Sequence, residues 1–136
     1  MPALQCLIVT PEKTVLDQQA EFVALPLYDG EIGIAPDHTP MIGRLGAGEM
    51  RIRTGDATSR FYVEGGFIEV LGNVVTVLTS RAMPSGELEA DVATEQLSAA
   101  QRRPAHTPEE FAQRDRLANQ YRAQVRTAQR AKDNAR

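Results

Sequence analysis

The sequence predicts an α+β chain with an N-terminal antiparallel β-sandwich over residues 1–85, followed by a C-terminal antiparallel two-helix hairpin over residues 86–136. Three observations carry this. Short apolar, β-branched runs separated by Gly and Asp turn signals fill the first part. Met83-Pro84-Ser85-Gly86 then breaks the strand pattern. After it the chain is rich in Ala, Gln, Arg and Glu, with helix start and stop signals in order.

Seven runs read as strands: Leu4–Thr10, Lys13–Leu16, Phe22–Leu27, Glu49–Arg53, Arg60–Val63, Phe67–Leu71 and Val74–Leu78. Turn signals stand at Tyr28-Asp29-Gly30, Gly46-Ala47-Gly48, Thr54-Gly55-Asp56, Gly65-Gly66 and Gly72-Asn73. Some runs alternate and others, such as Phe67-Ile68-Glu69-Val70-Leu71, are nearly apolar throughout, a mixture suited to two sheets packed face to face. In the hairpin, Asp91 caps a first helix running to about Arg103, which Pro104 stops. Thr107-Pro108-Glu109-Glu110 is a capping box that starts a second helix running to about Lys132. Phe111, Ala118, Tyr121, Val125 and Ala128 make a heptad-like stripe, interrupted by Arg114. A stripe so rich in Ala buries little surface, so the hairpin is expected to need the sandwich or a partner and to be a moving part.

The net charge of −3 hides an asymmetry: residues 1–101 carry six basic and fourteen acidic side chains (−8), residues 102–136 nine and four (+5). The two parts are expected to meet different partners or to meet each other. No run of about 20 apolar residues and no basic-then-apolar leader is visible. A single cysteine, Cys6, offers no internal disulfide and reads as a small core residue on an apolar strand.

Catalytic groups are scarce. His38 lies on a Pro-bounded turn beside Asp37, His106 lies in a loop, and there is no Gly-x-Ser-x-Gly, CxxC or His-x-x-x-His motif. The glycine pairs lack a following helix and Gly-Lys-Ser/Thr, which excludes a phosphate loop. No catalytic residue, metal ligand or cofactor is therefore expected. Arg122, Arg126 and Arg130 recur every fourth residue and share one helix face, either a solvated face or a stripe for an acidic partner. The acidic body and the lack of interleaved aromatics argue against nucleic acid, and the thin apolar face of the second helix against a membrane surface.

Two segments carry a family likeness. One is Asp29-Gly30-Glu31-Ile32-Gly33-Ile34-Ala35-Pro36-Asp37-His38-Thr39-Pro40-Met41-Ile42; the other is Val63-Glu64-Gly65-Gly66-Phe67-Ile68-Glu69-Val70 with Asn73 and Val74-Val75-Thr76-Val77-Leu78. Both in order, ahead of a helical hairpin, resemble the epsilon subunit family of bacterial F-type ATP synthases, the family that also holds the mitochondrial delta subunit. The resemblance implies a non-catalytic rotor subunit of the central stalk, peripheral to the cytoplasmic face of the inner membrane and not a homo-oligomer. It implies a c-ring contact through a loop with Gly30 and Glu31, a gamma-subunit contact through His38, Thr39, Pro40 and Met41, and a beta-subunit contact through Arg122, Arg126 and Arg130. It also implies a hairpin that permits ATP hydrolysis when folded on the sandwich and blocks it when extended along gamma.

Relatives that bind ATP in the hairpin carry Ile or Leu, Asp, two residues, Arg and Ala. Here Ala90-Asp91-Val92-Ala93-Thr94-Glu95 keeps Asp91 but has Thr94 for Arg and Glu95 for Ala, so weak or no ATP binding is expected. The alternative to the family reading is a regulatory adaptor that binds an acidic protein through the basic helix.

Overall fold

A computed structural model describes residues 3–134. The strands are β1 (Leu4–Val9), β2 (Thr14–Ala20), β3 (Phe22–Leu27), β4 (Gly30–Ile34), β5 (Met41–Arg44), β6 (Ala47–Thr54), β7 (Ala57–Glu64), β8 (Phe67–Leu71), β9 (Val74–Leu78) and β10 (Ala82–Pro84). A 3-10 turn at Ser85–Glu87 leads to α1 (Ala90–Gln101) and α2 (Pro108–Asn134). The chain divides into two compact units between Pro84 and Ser85.

The first unit is a sandwich of two five-stranded sheets, ordered β2-β1-β9-β8-β5 and β10-β7-β6-β3-β4. All pairings are antiparallel except β1 with β9, which run parallel with Gln5 opposite Val74. Alternation decides which side chains enter the core: Leu4, Cys6 and Ile8 from β1, Met50 and Ile52 from β6, Ile68 and Val70 from β8, Val75 and Val77 from β9. Each is essentially solvent-free, and together with Val23, Leu25, Ile34 and Val63 they form one continuous core.

Three strands escape a reading of the sequence: β4, β5 and β10. Gly30-Glu31-Ile32-Gly33-Ile34 and Met41-Ile42-Gly43-Arg44 are short and contain Gly, which local propensity counts against a strand. Their neighbours supply the pairing, β3 for β4 and β8 for β5. Gly46-Ala47-Gly48 is not the expected turn, because Ala47 and Gly48 already belong to β6. The backbone of Gly46 lies so close to Leu27 that a Cβ would fall 2.9 Å from its carbonyl oxygen, so glycine here serves close approach.

Cys6 occupies the core position expected of it, and burial pushes its thiol from 9.0 up to about 12. The unfolded chain therefore loses this proton first, and between those values the folded chain holds more protons. The contribution is fully present below pH 9.0 and is lost as pH rises toward about 12. Urea unfolding is expected to show a slope approaching ~1.4 kcal/mol per pH unit in that window, over and above that of Cys6→Ala. Equal slopes in the two proteins would refute it.

In the second unit α1 starts at Ala90 with Glu89 as its N-cap residue, and no side chain caps it. Asp91 is thus not the cap; it lies in the first turn, where its charge still favours the helix dipole. Thr94 is committed to its own helix, donating to the Ala90 carbonyl (2.8 Å). The start of α2 is as expected at one end: the Glu110 amide donates to Thr107 Oγ1 (3.1 Å). The Glu110 carboxylate accepts from the amide of His106, one residue before the cap (2.8 Å).

Phe111 is exposed rather than seam-forming, with Arg114 stacked 4.8 Å over its ring. Every buried apolar side chain of the two helices is an alanine: Ala90, Ala93, Ala100, Ala118, Ala123 and Ala128. A methyl group contributes roughly 0.8 kcal/mol, so the hairpin has little of the burial energy that holds the sandwich.

Candidate interaction surfaces

The outward face of the first sheet is apolar where solvent would favour polar residues. Ile42 is 76% exposed, Leu71 58%, Phe67 56% and Leu78 49%. Register makes them neighbours. Ile42 pairs with Glu69 and so lies diagonal to both Phe67 and Leu71, while Phe67 pairs with Leu78. Val74, Leu7 and Val9, half-buried, continue the face across β9 and β1. A shallow groove of about 360 Å³ lies along Pro40, Met41, Ile42, Glu69, Val70 and Leu71. Contiguous apolar surface of this kind marks an interaction site.

His38, Thr39 and Pro40 lie on the loop that leaves β4 in one sheet and enters β5 in the other, whereas Met41 opens β5 opposite Val70 and packs against the core. His38 is half-buried, and its Nδ1 donates to the Thr39 carbonyl (2.7 Å). Ile42, Phe67 and Leu78 lie within the two segments that carry the family likeness, but nothing in those motifs marks them as exposed; the signal for that is a strand, Phe67–Leu71, with apolar residues on both faces.

Gly30 and Glu31 do not lie in a loop: they open β4, with Glu31 paired to Pro26. The loop itself is Tyr28-Asp29, where Tyr28 is 70% exposed and Arg44 stacks 4.4 Å over its ring. Glu31 is held by both arms of the Arg51 guanidinium, at 2.6 Å and 3.3 Å. Arg51 reaches on to Glu49 (3.4 Å), which also takes Arg60 (3.0 Å). The four alternate in charge across β4, β6 and β7, and the hydrogen bond to Glu31 is the main cause of the raised Arg51 pKa. This cross-strand ladder, twenty residues from end to end at its Glu31–Arg51 rung, has no sequence signature.

Arg122, Arg126 and Arg130 are all exposed on α2, four residues apart, on one face. Arg122 also donates to Asn119 Oδ1 (2.7 Å). Among the described residues, no group of three or more His, Cys, Asp or Glu is placed to hold a metal ion, and no helix is long and apolar enough to cross a membrane.

The fold and its surfaces define a class: a ten-stranded sandwich with an apolar outer face, followed in the chain by a helical hairpin. Residues 3–85 match the family described as ATP synthase, Delta/Epsilon chain, beta-sandwich domain. The chain is 44% identical over 126 residues to the ATP synthase epsilon chain of Rhodopirellula baltica, covering 93% of this chain and 98% of that one. It is 34% identical over 107 residues to the epsilon chain of Rubrobacter xylanophilus, covering 79% and 73%. The chain belongs to the ATP synthase epsilon chain family.

The fold alone extends further. A chain of the Euglena gracilis mitochondrial ATP synthase, solved as an OSCP/F1/c-ring assembly, superposes with a TM-score of 0.83 at 17% identity over 94% of this chain and 82% of that one. A chain of the Tetrahymena thermophila mitochondrial ATP synthase, solved as central stalk and c-ring, gives 0.74 at 15% identity over 92% and 96%.

Proposed function

We propose that this chain is a non-catalytic rotor subunit of the central stalk, coupling ion-driven rotation to ATP synthesis and peripheral to the membrane through its complex. The observation that carries the reading is the apolar outer face around Ile42, Phe67, Leu71 and Leu78, in a member of the epsilon chain family. That face, with His38, Thr39, Pro40 and Met41 at its rim, docks the gamma subunit. The exposed Tyr28-Asp29 tip, with Gly30 and Glu31 behind it, meets the c-ring loops. Arg51 orients the Glu31 carboxylate for that contact through the bidentate pair. The hairpin acts as a brake on ATP hydrolysis, presenting Arg122, Arg126 and Arg130 to an acidic segment of a beta subunit. Its fully buried apolar side chains are all alanines, which makes it easily displaced.

The docking reading is tested by measuring gamma-subunit affinity for the full chain carrying Ile42→Asp or Phe67→Asp. Both side chains project outward, so the sandwich is expected to keep its fold. Each substitution is expected to weaken binding by on the order of 30-fold, the effect of losing one interface anchor. Unchanged affinity in both variants would remove the apolar face from the interface.

A further inference from the structure

We infer that Asn73 is a positioning residue: it clasps Asp37 and holds the His38–Met41 segment ready for docking, an inference that rests on the docking reading above. Gly72 (φ 58°) and Asn73 (φ 62°) form the two-residue turn between paired Leu71 and Val74, a type I′ hairpin. The Asn73 carbonyl accepts from the Gln5 amide (2.8 Å), which pins the turn to β1. Its side chain points the other way. Oδ1 accepts from the Asp37 amide (2.6 Å), and Nδ2 donates to Asp37 Oδ1 (3.3 Å).

Asp37 itself is left-handed (φ 63°), a conformation that a non-glycine residue seldom keeps without support. The clasp supplies that support across 36 residues of chain. It joins the tip of the β8–β9 hairpin to the loop that crosses between sheets. Pro36 and Pro40 stiffen the same loop from either side. The loop is therefore set before a partner arrives, beside exposed Ile42 and Leu71. A loop released from the clasp would spend part of its time in other conformers, and apparent affinity falls in proportion to the competent fraction.

Asp37 is exposed and Asn73 only half-buried, so neither belongs to the core that sets stability. A merely structural role would move the unfolding midpoint and leave binding alone. The experiment is gamma-subunit binding kinetics with the full chain, alongside urea unfolding of each variant. Asn73→Gly keeps the left-handed turn and removes both side-chain bonds. It is expected to lower affinity about tenfold, largely through slower association.

Asn73→Asp keeps the acceptor but sets a second carboxylate against Asp37, and is expected to weaken binding similarly. Asp37→Asn alone preserves both bonds and should bind normally. Combined with Asn73→Asp, it places an amide donor at position 37 and should restore affinity. Normal binding by Asn73→Gly, or a double variant as weak as Asn73→Asp, overturns the clasp. Ile42→Asp in the same assay separates the two levels. Normal binding by both Ile42→Asp and Phe67→Asp overturns the docking face and with it the role given to the clasp. Weak binding by Ile42→Asp with normal binding by Asn73→Gly overturns the clasp alone.

Discussion

Gly66→Ala is expected to unfold the sandwich, at a loss of more than ~4 kcal/mol, whereas Gly65→Ala next to it should lose only about 1 kcal/mol. Both glycines have positive φ, 71° at Gly65 and 105° at Gly66. They differ in what surrounds them. A Cβ at Gly65 would meet nothing within 4 Å, so alanine there bears only backbone strain. A Cβ at Gly66 would lie 1.9 Å from the Leu78 carbonyl oxygen and 2.9 Å from its carbon.

Leu78 ends β9, which is paired on both sides, with β1 and with β8, so its carbonyl cannot retreat without breaking a ladder. The Gly66 carbonyl is likewise engaged, accepting from the Leu45 amide (2.8 Å). A small domain has a margin of roughly 5–15 kcal/mol, so a loss of this size leaves little folded chain in mild urea. Far-ultraviolet circular dichroism against urea reads the difference. Midpoints within error of each other would mean that the two strands separate at this point at little cost.

The second large effect concerns the hairpin. Truncation after Ser85 is expected to raise ATP hydrolysis by the assembled complex on the order of tenfold, within the usual range of a coupling between sites. The sandwich should remain bound, because its core lies wholly within the first unit. Arg122→Ala, Arg126→Ala and Arg130→Ala together should reproduce much of the rise. Alanine keeps α2 helical while removing three charges from one face.

An exposed pair contributes only about 0–1 kcal/mol, so single substitutions should do little and the three together more. Added salt should likewise release the brake in the intact complex. Unchanged hydrolysis with the truncated chain still bound would confine the protein to coupling and assembly.

How legible this was differs by element. Phe22–Leu27, Phe67–Leu71 and Val74–Leu78 were readable to the residue because each is an apolar run that abuts a Gly-containing turn. The start of α2 was readable because Thr107 and Pro108 each have a local reason to be where they are. The start of α1 was not, because a capping residue, Asp91, was in range and the backbone entered the helix two residues earlier, from Glu89, without using it. Of the candidate sites, the arginine face needed only helical periodicity. The apolar face needed register, since Ile42 and Phe67 are 25 positions apart and become neighbours only through the β5–β8 pairing.

What the sequence determined by itself was local: seven of the ten strands and most of their turns, the change to helix after Pro84, the basic face and the motifs of the family. What only the tertiary structure decided was which distant residues meet. β4 and β5 are strands because paired neighbours take up their hydrogen-bonding groups, against their own propensity. Glu31 finds Arg51, and Asp37 finds Asn73, because sheet order brings them together. Side-chain periodicity is a property of a few consecutive residues. Strand order and register are chosen by the burial of two whole faces against each other, and that choice is made by the chain as a unit.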